Sequence, residues 1–138
     1  MTELVSLTFR KDEKLCSQKL MGDLFLSGNS FLSYPLRIVW KVIEVLPTES
    51  PAQAGFSVSK KLFKHSVDRN RLKRMIRESY RLNKSTLYES LKPTNTKLAL
   101  MFIYIGKEHL PYSKIQPAVS KAIGKIAAQL TGDTIQVS

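Results

Sequence analysis

Apolar residues recur along the chain with two different periods, and these periods predict helices and strands. A first helix is predicted over about residues 12–26, and Gly28 just beyond it is a stop signal. The apolar side of this helix consists of four residues: Leu20, Met21, Leu24 and Phe25. A last helix is predicted after residue 112, with an apolar stripe that runs from Ile115 to Leu130.

Two segments alternate with the period of a β-strand. In residues 36–46 the two sides are Ile38, Trp40 and Val42 against Arg37, Val39, Lys41 and Ile43. In residues 54–59 they are Phe56 and Val58, which we expect to point inward, against Ser57 and Ser59. The polar segment 47–53 contains two prolines and predicts a loop, so we expect these two strands to pair antiparallel.

A basic amphipathic helix is predicted within residues 60–84. One face carries Arg69, Lys73, Arg77 and Arg81 in a row. Asn70 and Arg74 lie beside this row, and Lys84 falls between these positions on the helical wheel. The opposite face carries Leu72, Met75, Ile76, Ser79 and Leu82. Ser66 or Asp68 can cap the N-terminus, because both side chains can accept hydrogen bonds from the N–H groups of a first turn.

The order of elements predicts an α+β fold. Residues 97–105 form a nearly continuous apolar run, which is typical of a strand at the centre of a covered sheet. The order is helix, two or three strands, basic helix, strand, helix, which fits a split β-α-β sandwich. A chain of 138 residues is expected to form a single domain, with an ordered core over about residues 12–130.

Charge is concentrated in one segment of the chain. The formal net charge is +11, and residues 59–84 contribute ten Lys or Arg against two Asp or Glu, while residues 1–58 are balanced at six each. Such a basic face suits a polyanion, of which nucleic acid is the commonest. Cys16 is the one cysteine, so no intrachain disulfide is possible, and we expect its thiol to be packed or idle. The lack of a signal segment or a long apolar run favours a cytoplasmic protein.

No catalytic or metal-binding set is evident in the sequence. The eleven acidic residues are scattered, and we expect Glu78 to pair with Arg71 or Arg74. His65 and His109 have no partner at metal-ligand spacing. Hydrolysis by the polypeptide alone is therefore not predicted.

Residues 56–78 contain a long and specific motif. It reads Arg69-Asn70-Arg71-x-Lys73-Arg74-x-x-Arg77 and is preceded by Ser57-Val-Ser-Lys-Lys61. This motif resembles the signature of the bacterial ribonuclease P protein subunit, and a weaker likeness extends over about residues 14–130. The resemblance implies a four-stranded sheet with an unusual left-handed crossover around the basic helix.

The resemblance also implies a function and its partners. In the family, the protein binds ribonuclease P catalytic RNA and the 5′ leader of precursor tRNA. The RNA removes the leader with bound Mg²⁺, so the protein assists catalysis and needs no organic cofactor. No membrane or DNA partner is expected.

Two sets of site residues follow from the resemblance. The expected RNA-binding set is Lys60, Lys61, Arg69, Asn70, Arg71, Lys73, Arg74, Arg77 and Arg81. The expected leader cleft, between the first helix and the sheet, is lined by Met21, Phe25, Val39, Ser57 and Ser59. Phe31, Tyr34 or Trp40 could supply further aromatic planes to the cleft. Arg69 and Arg74 are both expected to be exposed.

Three other functions remain open from the residues. A structural RNA-binding protein of ribosomal type would share the basic helix but have no role in cleavage. A DNA-binding regulator is disfavoured, because no second helix is predicted a short turn before Arg69. A membrane-surface helix is disfavoured, because its apolar side is needed for the core.

Overall fold

The fold consists of three α-helices and a four-stranded sheet, seen in a computed structural model that describes residue 9 and residues 11–15, 17–43 and 50–130. The long elements are α1 Gln18–Ser27, β1 Asn29–Ser33, β2 Leu36–Ile43, β3 Ala52–Val58, α2 Ser66–Leu91, β4 Lys97–Tyr104 and α3 Tyr112–Leu130. Two short 3₁₀ helices span Lys11–Glu13 and Lys92–Thr94. The α+β class and the predicted order of elements are confirmed, with β1 as the third strand before α2. Cys16 and residues 44–46 of the predicted first strand lie outside the described residues.

The strands are ordered β1-β2-β4-β3 across the sheet. The predicted antiparallel pairing of residues 36–46 with residues 54–59 is wrong, because β4 lies between them. β4 pairs antiparallel with β2 and parallel with β3, and its nearly unbroken apolar run makes it the most buried strand. β3, α2 and β4 form a parallel crossover unit, and its left hand stays a prediction.

Both faces of the sheet are covered. α2 and α3 pack on one face around the main core, which includes Ile38, Trp40 and Phe102. α1 packs on the other face, where a second cluster contains Leu15, Leu24, Val39, Ala99 and Met101. The two predicted sides of the 36–43 strand therefore enter two different cores.

α1 is shorter than predicted and has defined ends. It begins at Gln18, because Ser17 acts as the N-cap and its Oγ accepts from the Leu20 N–H at 3.2 Å. It ends at Ser27, and the C-cap residue Gly28 donates its N–H to the Leu24 carbonyl at 2.8 Å. A Cβ on Gly28 would lie 2.5 Å from that carbonyl oxygen, so only glycine permits the chain to turn this closely into β1.

α2 begins at Ser66 without the predicted cap. His65 is the N-cap residue and makes no side-chain cap hydrogen bond, so neither Ser66 nor Asp68 holds that position. Asp68 lies in the first turn, where its charge complements the positive end of the helix dipole.

The buried side of α2 changes along its length. Lys84 was predicted on the basic face, but it is 1% exposed and is ion-paired with Glu13 of the N-terminal 3₁₀ helix. Tyr80 is also fully buried, whereas Leu82, predicted to face the core, is 45% exposed. Because an α-helix turns by about 100° per residue, Tyr80 and Lys84 lie on the same side of α2 as the cations of its first half. The N-terminal segment covers that side in the second half of the helix.

Candidate nucleic-acid interface

The first half of α2 presents a basic surface to solvent. Leu72 and Ile76 are fully buried in the main core, which orients the other sides of the helix outward. We define the α2 basic face as Arg69, Asn70, Arg71, Lys73, Arg74, Arg77 and Arg81. Asn70, Arg71, Arg74 and Arg77 are exposed, and the other three are half-buried.

Arg69 has a structural role at the start of this face. Its Nη1 donates to the carbonyls of Phe63 and Lys64, both at 2.8 Å. The expectation that Arg69 is freely exposed is therefore wrong, since its guanidinium holds the preceding loop against the helix. A guanidinium has five N–H donors in a planar fork, so the remaining ones can still reach a phosphate.

The loop before α2 is ordered by its own hydrogen bonds. The Ser59 Oγ accepts from the Lys61 N–H at 3.0 Å, and the Ser59 carbonyl accepts from the Phe63 N–H at 3.1 Å. Phe63 is buried and packs edge-on against Tyr104, with ring centroids 5.8 Å apart. This turn leaves Lys60 and Lys61 exposed beside the N-terminal end of the α2 basic face.

Arg81 and Glu78 form an ion pair at the other end of the face. The Arg81 Nη2 lies 2.6 Å from Glu78 Oε2, and its Nε donates to Oε1 at 3.2 Å. The predicted pairing of Glu78 with Arg71 or Arg74 is therefore wrong. The Arg81 guanidinium contacts both oxygens of the Glu78 carboxylate, which is the two-point geometry of a strong Arg–carboxylate pair. The hydrogen bond from Arg81 lowers the pKa of Glu78 below its usual value and raises the pKa of Arg81. The charge of Arg81 is thus largely compensated within the protein.

An edge groove of about 250 Å³ lies between the α2 basic face and β3. Its lining includes the aromatic rings of Phe9 and Phe56 and the cations Lys73 and Arg77. The two rings meet edge-on, with centroids 5.6 Å apart. This groove was not predicted from the sequence, because Phe9 lies outside every predicted element.

A second groove, here called the α1 cleft, lies between α1 and the sheet and has a volume of about 230 Å³. It is lined by Leu24, Phe25, Gly28, Ser30, Arg37, Val39 and Ile103. Phe25 is 56% exposed and offers its ring to solvent, whereas Val39 is buried and belongs to the cleft's floor. Arg37 and Ser57 both pair with Ile103 across the sheet, so these three side chains lie in one row on the same face.

The structure brings together part of the predicted leader cleft. Phe25 and Val39 line the α1 cleft, and Ser57 lies in the row at its border. Met21 does not line it and packs against the second core cluster. Ser59 contributes its hydroxyl to the turn before α2.

Arg37 lines the α1 cleft, although it was not among the predicted site residues. Strand alternation had placed it on the same side as Val39, and that signal was sufficient to find it. The proposed additional aromatics do not line the α1 cleft: Trp40 is buried in the main core, and Phe31 and Tyr34 lie at a different groove.

The described ranges contain neither a candidate metal-ligand cluster nor a helix suited to crossing a membrane. No group of three or more His, Cys, Asp or Glu side chains in them could hold a metal ion. None of their helices has the length and hydropathy that crossing a bilayer requires.

The ribonuclease P family model matches residues 9–127 of the chain. The chain is 30% identical over 139 residues to the ribonuclease P protein component of Porphyromonas gingivalis, with 99% of this chain and 98% of that protein covered. It is 39% identical over 106 residues to the same component of Chlorobium phaeobacteroides, with 72% and 73% covered. Its fold is similar to that of the Staphylococcus aureus RNase P protein, with a TM-score of 0.64, 22% identity and coverage of 83% and 94%. The motif, the sheet order and these similarities lead to one conclusion: the chain belongs to the ribonuclease P protein family.

Proposed function

We propose that this chain binds the catalytic RNA of ribonuclease P through the α2 basic face and binds the 5′ leader of precursor tRNA in the α1 cleft. Membership of the family already implies a subunit of an endoribonuclease that processes tRNA. The observation that carries the finer proposal is the exposure of Arg71, Arg74 and Arg77 on one rigid helix.

The geometry of α2 suits the recognition of an RNA backbone. Arginine forks can contact two phosphate oxygens, and a helix fixes their spacing at little entropic cost. Asn70 is exposed among them, and its amide can donate and accept toward a ribose or a base edge. Lys60 and Lys61 extend the same surface, and Arg69 holds their loop in place.

The α1 cleft suits a single strand. Bases of unpaired RNA stack on aromatic planes, and Phe25 supplies such a plane at the rim. Arg37, which is exposed on the same groove, can contact the phosphate of a stacked nucleotide.

The proposal assigns magnesium chemistry to the partner RNA. The acidic groups of the described residues do not form a set that fits a resident metal ion. The part of this chain is to reduce phosphate repulsion with its cations, so that the RNA needs less Mg²⁺ to reach its active form.

The direct test is cleavage of a leader-bearing precursor tRNA by bacterial ribonuclease P RNA at low Mg²⁺, with and without this protein. We expect the protein to restore cleavage at the mature 5′ end. The test variant, Arg71→Ala with Arg74→Ala, should lose this effect. The matched control, Lys19→Ala with Lys92→Ala, removes the same charge from exposed sites elsewhere and should keep it. RNA binding without any stimulation would instead favour a structural RNA-binding protein.

A further inference from the structure

A second basic and aromatic groove lies on the opposite edge of the sheet from the α2 basic face. We call it the hairpin groove: it lies between the β1–β2 turn and α3 and has a volume of about 620 Å³. The strand order places β3, beside α2, at one edge and β1, beside α3, at the other. The hairpin groove is therefore separate from the RNA contacts proposed for α2.

Positive charge lines the hairpin groove. Lys114, Lys121 and Lys125 line it from α3 and are all exposed. Spacings of seven and four residues keep them on one side of the helix, over about 16 Å at 1.5 Å per residue. The residues that line the groove include these three lysines and no Asp or Glu. An extended polyanion is the ligand that such a row of cations fits.

Aromatic rings line the same groove between the cations. Tyr34 is 68% exposed at the tip of the β1–β2 turn. The Lys125 Nζ lies over the Phe31 ring, 4.5 Å from its centroid. Cations combined with accessible aromatic planes are the arrangement that binds single-stranded nucleic acid, with phosphates on the lysines and bases on the rings.

The hairpin groove and the α1 cleft approach each other at the β1 edge. Leu32 lines the hairpin groove, and its partner across the β1–β2 pair is Arg37, which lines the α1 cleft. Leu32 is itself 66% exposed, so no other described element covers the edge at this point. An RNA strand that leaves the α1 cleft past Arg37 has to cross only the Arg37–Leu32 pair to reach the hairpin groove.

We infer that the hairpin groove binds the upstream, 5′ part of the precursor tRNA leader as single-stranded RNA, beyond the part held in the α1 cleft. The lysines of α3 contact leader phosphates, and Tyr34 stacks on an unpaired base. This inference rests on the proposed function, since it requires that the leader enters the α1 cleft first.

The test measures the affinity of the reconstituted holoenzyme for precursor tRNAs whose leaders are shortened stepwise from the 5′ end. For the longest leader, Tyr34→Leu should weaken binding by about tenfold, which is the scale of one lost stack. Lys121→Ala with Lys125→Ala should also weaken it and reduce its salt dependence. Both effects should disappear once the leader is too short to leave the α1 cleft. Tyr34→Phe, which keeps the ring, and Lys19→Ala with Lys92→Ala should bind every leader as the unaltered protein does.

The outcomes separate this inference from the proposed function. Equal affinities of all variants for the long leader, with normal cleavage, would overturn the inference alone. A loss of affinity for the catalytic RNA without precursor tRNA would also overturn it, since the groove would then hold another RNA. Failure of the unaltered protein to stimulate cleavage would overturn the proposed function itself. Tyr34, Lys121 and Lys125 are exposed, and melting curves of the free variants should match the unaltered protein.

Discussion

Glu13 and Lys84 form a buried ion pair that ties the N-terminal 3₁₀ helix to the second half of α2. The Tyr88 hydroxyl donates to the same Glu13 oxygen at 2.7 Å, and the Lys84 Nζ lies 5.5 Å from the centre of the Tyr88 ring. Removing one member of a buried pair leaves the other charge without compensation, which is more costly than losing an exposed pair.

We therefore expect Lys84→Met to lower the free energy of unfolding by about 3–5 kcal/mol. The change is measured by urea denaturation, with Lys92→Met at an exposed site as the control. The double variant Glu13→Leu with Lys84→Met should recover much of the loss, because neither charge then remains buried. A loss below 1 kcal/mol for Lys84→Met would contradict a buried role.

The α2 basic face should give RNA binding a steep salt dependence. If about six phosphates are neutralised, the logarithm of the binding constant should fall against the logarithm of salt with a slope of roughly −4 to −5. Arg74→Ala with Arg77→Ala should reduce the magnitude of this slope by about 1.5 to 2, since both side chains are exposed and can contact RNA. A slope near −1 for the unaltered protein would rule out contact with many phosphates.

Arg69→Ala is expected to act differently from Arg74→Ala. Arg69 holds the carbonyls of Phe63 and Lys64, so its loss should release the loop that carries Lys60 and Lys61 as well as remove a charge. Faster amide hydrogen exchange over residues 59–65 should accompany weaker RNA binding in Arg69→Ala and be absent in Arg74→Ala. Identical exchange in the two variants would show that the clamp does not order the loop.

Glu78→Gln should strengthen RNA binding by several-fold at low salt. The substitution removes a negative charge beside the α2 basic face and frees Arg81 from its carboxylate partner. The pKa of Glu78 is lowered in the fold, so its contribution to stability is fully present above its unfolded pKa and is lost as the pH falls through the lower, folded pKa. The test compares the affinities of Glu78→Gln and the unaltered protein for the same RNA at several salt concentrations. The gain in affinity should shrink as salt rises. Weaker binding in Glu78→Gln would show that the ion pair positions Arg81 for RNA.

Tyr80 makes the fold sensitive to alkaline pH. Burial raises the pKa of its hydroxyl well above the usual value. Above about pH 10 the unfolded chain loses this proton while the folded chain keeps it, so stability falls as the pH rises. Tyr80→Phe should make the fall between pH 9 and 11 shallower by up to about 1.4 kcal/mol per pH unit, as measured by urea denaturation. Tyr112→Phe, at a half-exposed position, is the control, and equal slopes for the two variants would refute the assignment.

Phe25 should contribute to leader recognition and little to stability. Its ring is more exposed than buried, so Phe25→Ala should leave the melting temperature nearly unchanged. The same variant should reduce the preference of the holoenzyme for leader-bearing over mature tRNA by about fivefold or more, which is the scale of one stacked base. Phe25→Tyr keeps the ring and should retain the preference. A large loss of stability in Phe25→Ala would identify the ring as a core residue.

The sequence by itself determined the features that depend on neighbouring residues. Periodicity gave the order of elements, the inward side of residues 54–59 and the basic first half of α2, because helix and strand periods are local. The motif from Arg69 to Arg77 gave the family, since its residue types and spacing are specific. Alternation within the 36–43 strand also separated the side of Val39 and Arg37 from the side of Trp40.

The tertiary structure decided the features that depend on distant segments. The strand order was mispredicted, because the pairing of β4 with both β2 and β3 depends on contacts far apart in sequence. Lys84 occupies the cationic side of the helical wheel, yet it is buried because the N-terminal segment brings Glu13 over it. The hairpin groove likewise exists only because α3 packs beside β1, which brings Lys121 and Lys125 to the same groove as Tyr34, although about ninety residues of chain separate them. A helical wheel describes one helix in isolation, and only the packed fold determines which of its sides remain in contact with water.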